Sequence, residues 1–130
     1  MYQAQTRGVR VTVAPSFLEA ESSHAQGRYF WAYAIEIVNL STQTIQLMTR
    51  HWFITDGRGE MHEVRGEGVV GKQPVLRPGE SFNYTSGCPL TTPDGSMHGF
   101  YAMQDESGTI FDVEVPLFPL DSPYVKKVLH

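Results

Sequence analysis

Three groups of residues in this chain are of types that could do chemistry. The first is Gly66-Glu67-Gly68-Val69-Val70-Gly71. Its G-x-G-x-x-G spacing is that of a loop whose backbone N–H groups cradle a pyrophosphate. Arg65 and Lys72 flank it and would add positive charge, and Gln73 follows. Such a cradle needs a strand before it and a helix N-terminus after it. Here Pro74 and Pro78 follow, so no helix is expected to start. Glu63 and Glu67 also dilute the local positive charge. The plainer reading is a loop whose glycines permit positive φ and close packing.

The second group is the imidazoles of His24, His51, His62, His98 and His130. A transition-metal site gathers two or more ligands, commonly at short fixed spacing. No pair of these histidines stands at i, i+2 or i, i+4, and none neighbours Cys88. The sequence therefore names no metal ligands, and no cofactor is expected. His51 reads as a partly buried strand residue with a hydrogen-bond partner. The third group is Ser86, His51 and Asp56, from which a triad can be imagined. Their spacing does not support one, and Tyr84-Thr85-Ser86-Gly87 lacks the G-x-S-x-G form of a nucleophile elbow. Thr85 and Ser86 suit satisfying loop backbone groups. No residue is assigned a catalytic role, and an enzyme is not expected.

The elements that must position these groups are strands. Val9, Val11 and Val13 alternate with polar or small residues, and Pro15 is expected to end that strand or nearly so. A polar loop spans 19–28. The next strand runs from Tyr29 to Leu40, with Tyr29, Trp31, Tyr33, Ile35 and Ile37 on one face. Phe30, Ala32, Ala34, Glu36 and Val38 lie on the other, which suits a central strand partly covered on both sides. A turn at 39–43 leads to a strand from Thr44 to Asp56. Strict alternation places Ile45, Leu47, Thr49, His51 and Phe53 on one face of it, and Gln46, Met48, Arg50, Trp52 and Ile54 on the other. Asp56-Gly57-Arg58-Gly59 closes a hairpin whose return strand covers 60–65.

The Gly- and Pro-rich stretch 66–80 reads as one long ordered loop with a tight Pro78-Gly79 turn. Ser81–Cys88 forms a strand, and 97–104 and 109–117 form a terminal hairpin. The pairs Phe30-Trp31, Trp52-Phe53 and Phe100-Tyr101 must split between two faces, so some large rings lie outside the core. Val69, Val70, Val75 and Leu76 of the long loop are expected to cover them. Seven or more short strands with turn signals and no sustained helical period indicate an all-β, immunoglobulin-like or fibronectin type III-like two-sheet β-sandwich. A lone cysteine allows no intrachain disulfide, which favours the fibronectin type III version.

Composition bounds the function. One hundred and thirty residues make one domain, 1–130, without an internal repeat or linker. The chain is 41% apolar and 12% aromatic, too hydrophobic for disorder. Net charge is −4, and only Lys126 and Lys127 stand together, so a nucleic-acid partner or an anionic membrane surface is not expected. Residues 1–8 lack the apolar core of a signal peptide, and no apolar run approaches the ~20 residues of a membrane span. A soluble, cytoplasmic protein is expected.

Several motifs then fall in order along the chain. They are Arg50-His51-Trp52, Gly66 to Pro74, Leu76-Arg77-Pro78-Gly79-Glu80, Tyr84-Thr85-Ser86-Gly87 and Thr92 to Gly99. This succession resembles the bacterial ApaG family over most of the chain, from Val9 to Leu120. The resemblance implies a fibronectin type III-like sandwich and a genetic association with a diadenosine tetraphosphate hydrolase. It also implies a label of cobalt and magnesium efflux or resistance. Related domains in F-box proteins and in a DNA polymerase δ-interacting protein are regarded as protein-interaction modules. The family has no established catalytic residues to carry over.

The expectation is therefore a non-enzymatic binding or regulatory module with a protein partner. Arg65, Gly66, Gly68, Val69, Gly71, Lys72 and Gln73 are its candidate contact residues. Any part in ion efflux would be indirect, because a domain of this kind cannot move ions across a bilayer. The alternative is a small-ligand sensor that binds a dinucleoside polyphosphate or a divalent cation through the Gly66–Gly71 loop.

Overall fold

The structure is a computed structural model and describes residues 1–125. His130 and the Lys126-Lys127 pair lie outside the described residues. Among the described residues nine strands, β1 to β9, run in chain order as Tyr2–Thr6, Val9–Phe17, Tyr29–Asn39, Ile45–Asp56, Met61–Glu67, Val75–Leu76, Ser81–Leu90, Gly95–Gln104 and Ile110–Leu120. They form two antiparallel sheets. The first has the order β1-β2-β3-β7, and the second β5-β4-β8-β9 with β6 beside β4. The expected two-sheet sandwich is the observed fold. Two single 3₁₀ turns, at 19–21 and 24–26, occupy the polar loop before β3.

The alternating strands place their faces as the pattern requires. Val9, Val11 and Val13 of β2 are fully buried, and Tyr29, Trp31, Tyr33, Ile35 and Ile37 of β3 are buried too. They meet Leu47, Trp52, Met97, Tyr101, Met103, Val113, Val115, Phe118 and Leu120 from the other sheet. Full burial of one such side chain is worth about 1.5–3 kcal/mol. The outward face of β3 is only partly covered, with Ala34 and Glu36 exposed.

Four departures from the alternation have physical causes. Residues 2–6 form a strand whose sequence carries little apolar alternation; pairing with β2 defines it. β2 runs on through Pro15 to Phe17. β1 stops opposite Val13, so Pro15 stands where β2 has a free edge and a missing N–H is tolerated. β9 likewise extends to Leu120, because a bulge opposite His98 absorbs Pro116 and returns Phe118 to the core.

The fourth departure matters most. The β4 register slips between Leu47 and Thr49, leaving Met48 as an extra residue. The slip inverts the phase of the strand. Ile45 and Leu47 are buried before it and Trp52 after it, whereas Thr49, His51 and Phe53 turn outward. The single face expected for Ile45, Leu47, Thr49, His51 and Phe53 is therefore split in two.

The sandwich closes on one flank only. There β9 packs against β1 and β2. On the other flank the sheets end in β7 and β5, and a groove opens between them.

Candidate functional site

The groove is built by strand phase. Tyr33 of β3, Arg50 and Trp52 of β4, and Ser86 of β7 all point into the space between the sheets. They line two adjoining hollows of about 390 and 190 Å³. The larger continues along Val64 and Cys88 toward Leu90, and the smaller ends under Val69, Val70 and Gly71. Among the described residues, Arg50 and His62 are the basic side chains of this lining, and no Asp or Glu contributes to it. A larger hollow of about 720 Å³ crosses the outer face of the first sheet. It is shallow, and its charged residues are Arg10 and Glu36, 3.9 Å apart.

The loop at the end of the groove is held by the bulge. Bulging leaves the Met48 carbonyl outside the strand ladder. The Gly68 N–H and the Gln73 side-chain amide both donate to it, each at 2.9 Å. Arg50 Nη1 donates to the carbonyls of Glu67 and Gly68, also at 2.9 Å. Gly68 has φ +62°, and a β-carbon there would sit 2.2 Å from the Lys72 carbonyl oxygen, so only glycine fits. Val69 and Lys72 exchange both backbone hydrogen bonds, 2.8 and 2.9 Å. That makes Val70-Gly71 a two-residue turn with φ +44° and +77°, the primed type that hairpins use.

The candidate residues drawn from the sequence do not all meet. Gly68, Val69, Gly71 and Gln73 shape the loop, and Gly66 packs on the Arg50 guanidinium. Val69 is 1% exposed and belongs to the core. Val70 and Val75 are exposed, so the loop contributes Val69 and Leu76 to the interior and not the full apolar set. Arg65 lies on the outer face of β5, opposite His51 and bonded to Glu63. It is thus on the other side of the sheet from Arg50. Lys72 is exposed. The amides of Gly68, Val69 and Lys72 are already bonded within the chain, and β6, not a helix, follows the loop.

The imagined triad is dispersed. His51 is on the outer face with Glu63, Ser86 is in the groove, and Asp56 ends β4, where its Oδ1 accepts from the Arg58 and Glu60 amides. The fold does gather Asp56, Glu60 and His62 around the β4–β5 turn, with ligand atoms within 4.8 Å of one another. Reading the D-x-x-x-E-x-H spacing across the hairpin turn would have found this group. Arg50 was also missed, and its signal is an arginine at an inward position between aromatic residues.

Buried hydroxyls and a thiol border the groove. Tyr84 and Tyr101 share a hydrogen bond between their hydroxyls. Burial pushes both phenols above their ordinary range. Burial also raises the Tyr33 phenol and pushes the Cys88 thiol up to about 11. These groups stay neutral near pH 7.

The comparisons with known proteins agree on one lineage. The model of the ApaG domain, DUF525, matches residues 19–105. The chain belongs to the ApaG family. A Methylorubrum populi relative named Protein ApaG is 61% identical over the whole of both chains, and one from Bradyrhizobium sp. strain ORS 278 is 58% identical over the same span. A crystal structure of a Bordetella pertussis protein described as ApaA is 42% identical, with TM-score 0.87 over 96% of this chain and 100% of that one. A protein from Archaeoglobus fulgidus, 12% identical with TM-score 0.52, shares the fold alone. The ApaG match spans β3 to β8, and so takes in every strand that lines the groove.

Proposed function

We propose that the chain is a non-enzymatic interaction module that holds a partner protein as an extended strand along β7, with side chains entering the groove. The observation that carries this is Val70. A β-branched residue at positive φ is strained by about 1–2 kcal/mol. Asn or Gly would fill that turn position with less strain. Yet Val70 is 53% exposed at the rim of the groove, so core burial does not account for it. Strain kept at an exposed position points to a contact made with something else. β7 supplies the complement. It is a ten-residue edge strand, Ser81 to Leu90, with no charged residue to deter pairing. β5 on the facing edge is guarded by His62, Glu63, Arg65 and Glu67. Main-chain bonds along an edge give affinity, and pockets for alternate side chains give selectivity. With Arg50 in its lining and no acid, the groove favours a partner carrying a carboxylate.

A small-ligand sensor at Gly66–Gly71 has weaker support, because the Gly68 and Val69 amides, and that of Lys72 beside them, are already bonded within the chain. An influence on cobalt or magnesium resistance would run through the captured partner.

The test selects random extended nonapeptides on the intact protein and titrates the best binder calorimetrically. Val70→Asn creates an Asn-Gly turn, so its melting point should rise while peptide affinity falls at least fivefold. Ser86→Arg, which blocks the groove, should abolish binding in a folded chain. If folded Val70→Asn and Ser86→Arg proteins bind like the parent, the proposal fails.

A further inference from the structure

The outer face of the second sheet carries a different surface, turned away from the groove. Its layout follows from strand register. One cross-strand row reads Glu67, Thr49, Ala102, Asp112 across β5, β4, β8 and β9. The next reads Arg65, His51, Phe100, Glu114, and the third Glu63, Phe53, His98. Directly paired residues share a face, so these side chains form one patch, roughly 14 Å each way from strand and residue spacings.

Its centre is four rings. His51 stacks on Phe53 with centroids 4.4 Å apart, and Phe53 stacks on His98 at 5.0 Å. Phe100 meets His51 edge-on at 4.8 Å. His98 is exposed, while Phe53 and Phe100 are half-buried. Four exposed carboxylates frame the rings: Glu63, Glu67, Asp112 and Glu114. Arg65 is the lone lysine or arginine in these rows and is engaged with Glu63 Oε2 at 3.2 Å. His51 Nε2 stands 3.0 Å from the same oxygen. The hydrogen bond with His51, and then Arg65, hold the Glu63 carboxyl below its ordinary range. Among the described residues, Glu67, Asp112 and Glu114 have no ion-pair partner.

Aromatic faces attract cations, and carboxylates around them strengthen the field. A guanidinium suits this pattern better than an ammonium, because it stacks flat on a ring and forks onto a carboxylate. Phosphate-bearing partners are repelled by the same frame. We propose that this face docks an arginine-bearing segment of a partner protein, with a guanidinium plane laid on the Phe100 ring, beside the stacked His51, Phe53 and His98 rings, and forked onto the surrounding carboxylates. The charge it selects is opposite to that favoured by the groove, so the two surfaces take different segments.

The probe is the synthetic peptide Gly-Arg-Gly-Arg-Gly-Arg-Gly, titrated into the ¹⁵N-labelled intact protein and followed by amide shifts. Saturable shifts should be confined to residues 49–55, 61–67, 96–102 and 112–114, leaving Val70 and Ser86 unmoved. Binding should weaken about tenfold between 50 and 300 mM NaCl, as attraction between exposed charges is screened. The citrulline version of the peptide, equal in shape and uncharged, should not bind. Phe53→Thr and Phe100→Thr keep a strand-forming residue and should each weaken binding at least fivefold. Should either variant unfold, Glu67→Gln/Glu114→Gln tests the frame with the rings intact and should show the same loss. The proposal is overturned if no shifts appear at millimolar peptide, if the citrulline peptide binds equally, or if spermine matches the arginine peptide. It is also overturned if shifts spread over the carboxylates of the whole surface, or if the folded variants bind like the parent.

Discussion

Buried polar groups beside the groove give the sharpest expectations at the scale of single residues. Tyr101 is fully buried, and its hydroxyl is paired with that of Tyr84. Tyr84→Phe strands the Tyr101 hydroxyl, which should destabilise the fold by about 1–3 kcal/mol. The double change Tyr84→Phe/Tyr101→Phe removes both partners and should lie closer to the parent, as urea unfolding would show. Alkali acts on the same groups. The folded phenols and the Cys88 thiol lose protons at higher pH than in the unfolded chain. Their contribution is therefore complete below about pH 9, and unfolding free energy falls as pH rises above that through the thiol and then the phenol range. Cys88 is 2% exposed with its thiol near 11, so iodoacetamide at pH 8 should modify it more than 100-fold, on the order of 10³-fold, more slowly in the folded than in the urea-unfolded protein. Part of this was legible in the sequence. Pro74 and Pro78 already ruled out a helix after the glycines. Arg50 was not legible as a groove residue, because its facing depends on a slip in strand phase two positions earlier.

That slip belongs to the scale of elements. Period-2 alternation located β2, β3, β4, β7 and β8, and it assigned the faces of β2 and β3 correctly. It misassigned β4 beyond Leu47, because a bulge is stabilised by distant groups that no local pattern contains. Here those groups are the Gly68 amide and the Gln73 side chain, both bonded to the Met48 carbonyl. Deleting Met48 restores strict alternation while keeping Leu47 and Trp52 inward. The sandwich should therefore still form, with the 68–73 loop released. The loss of two hydrogen bonds should cost about 2 kcal/mol. Hydrogen exchange at the Gly68 amide should accelerate sharply while the Trp31 and Ile35 amides stay protected. Because Leu47 and Trp52 both stay inward in that variant, His51 and Phe53 should stay outward and the ring cluster on the opposite face should persist.

At the scale of the whole molecule, alternation and turn spacing sufficed for a two-sheet sandwich. They did not show which flank would close, since that depends on the pairing of β1, a strand with little apolar pattern. Its position brings Met1 and Tyr2 to the same hollow as Pro119 and Asp121, on the flank away from the groove. The two ends of the sandwich are thus neighbours in space, and neither borders the candidate partner site. A circular permutant should exploit this. Joining Val125 to Tyr2 through a Gly-Ser link, which keeps Tyr124 packed against Phe17 and His24, and opening the exposed 106–108 turn should leave the thermal transition cooperative and peptide affinity within about threefold of the parent. Modules with adjacent ends can be spliced into a host loop as well as strung on a thread. Among the described residues, a sandwich joined to a host at this flank would leave the groove between β5 and β7 open on the other.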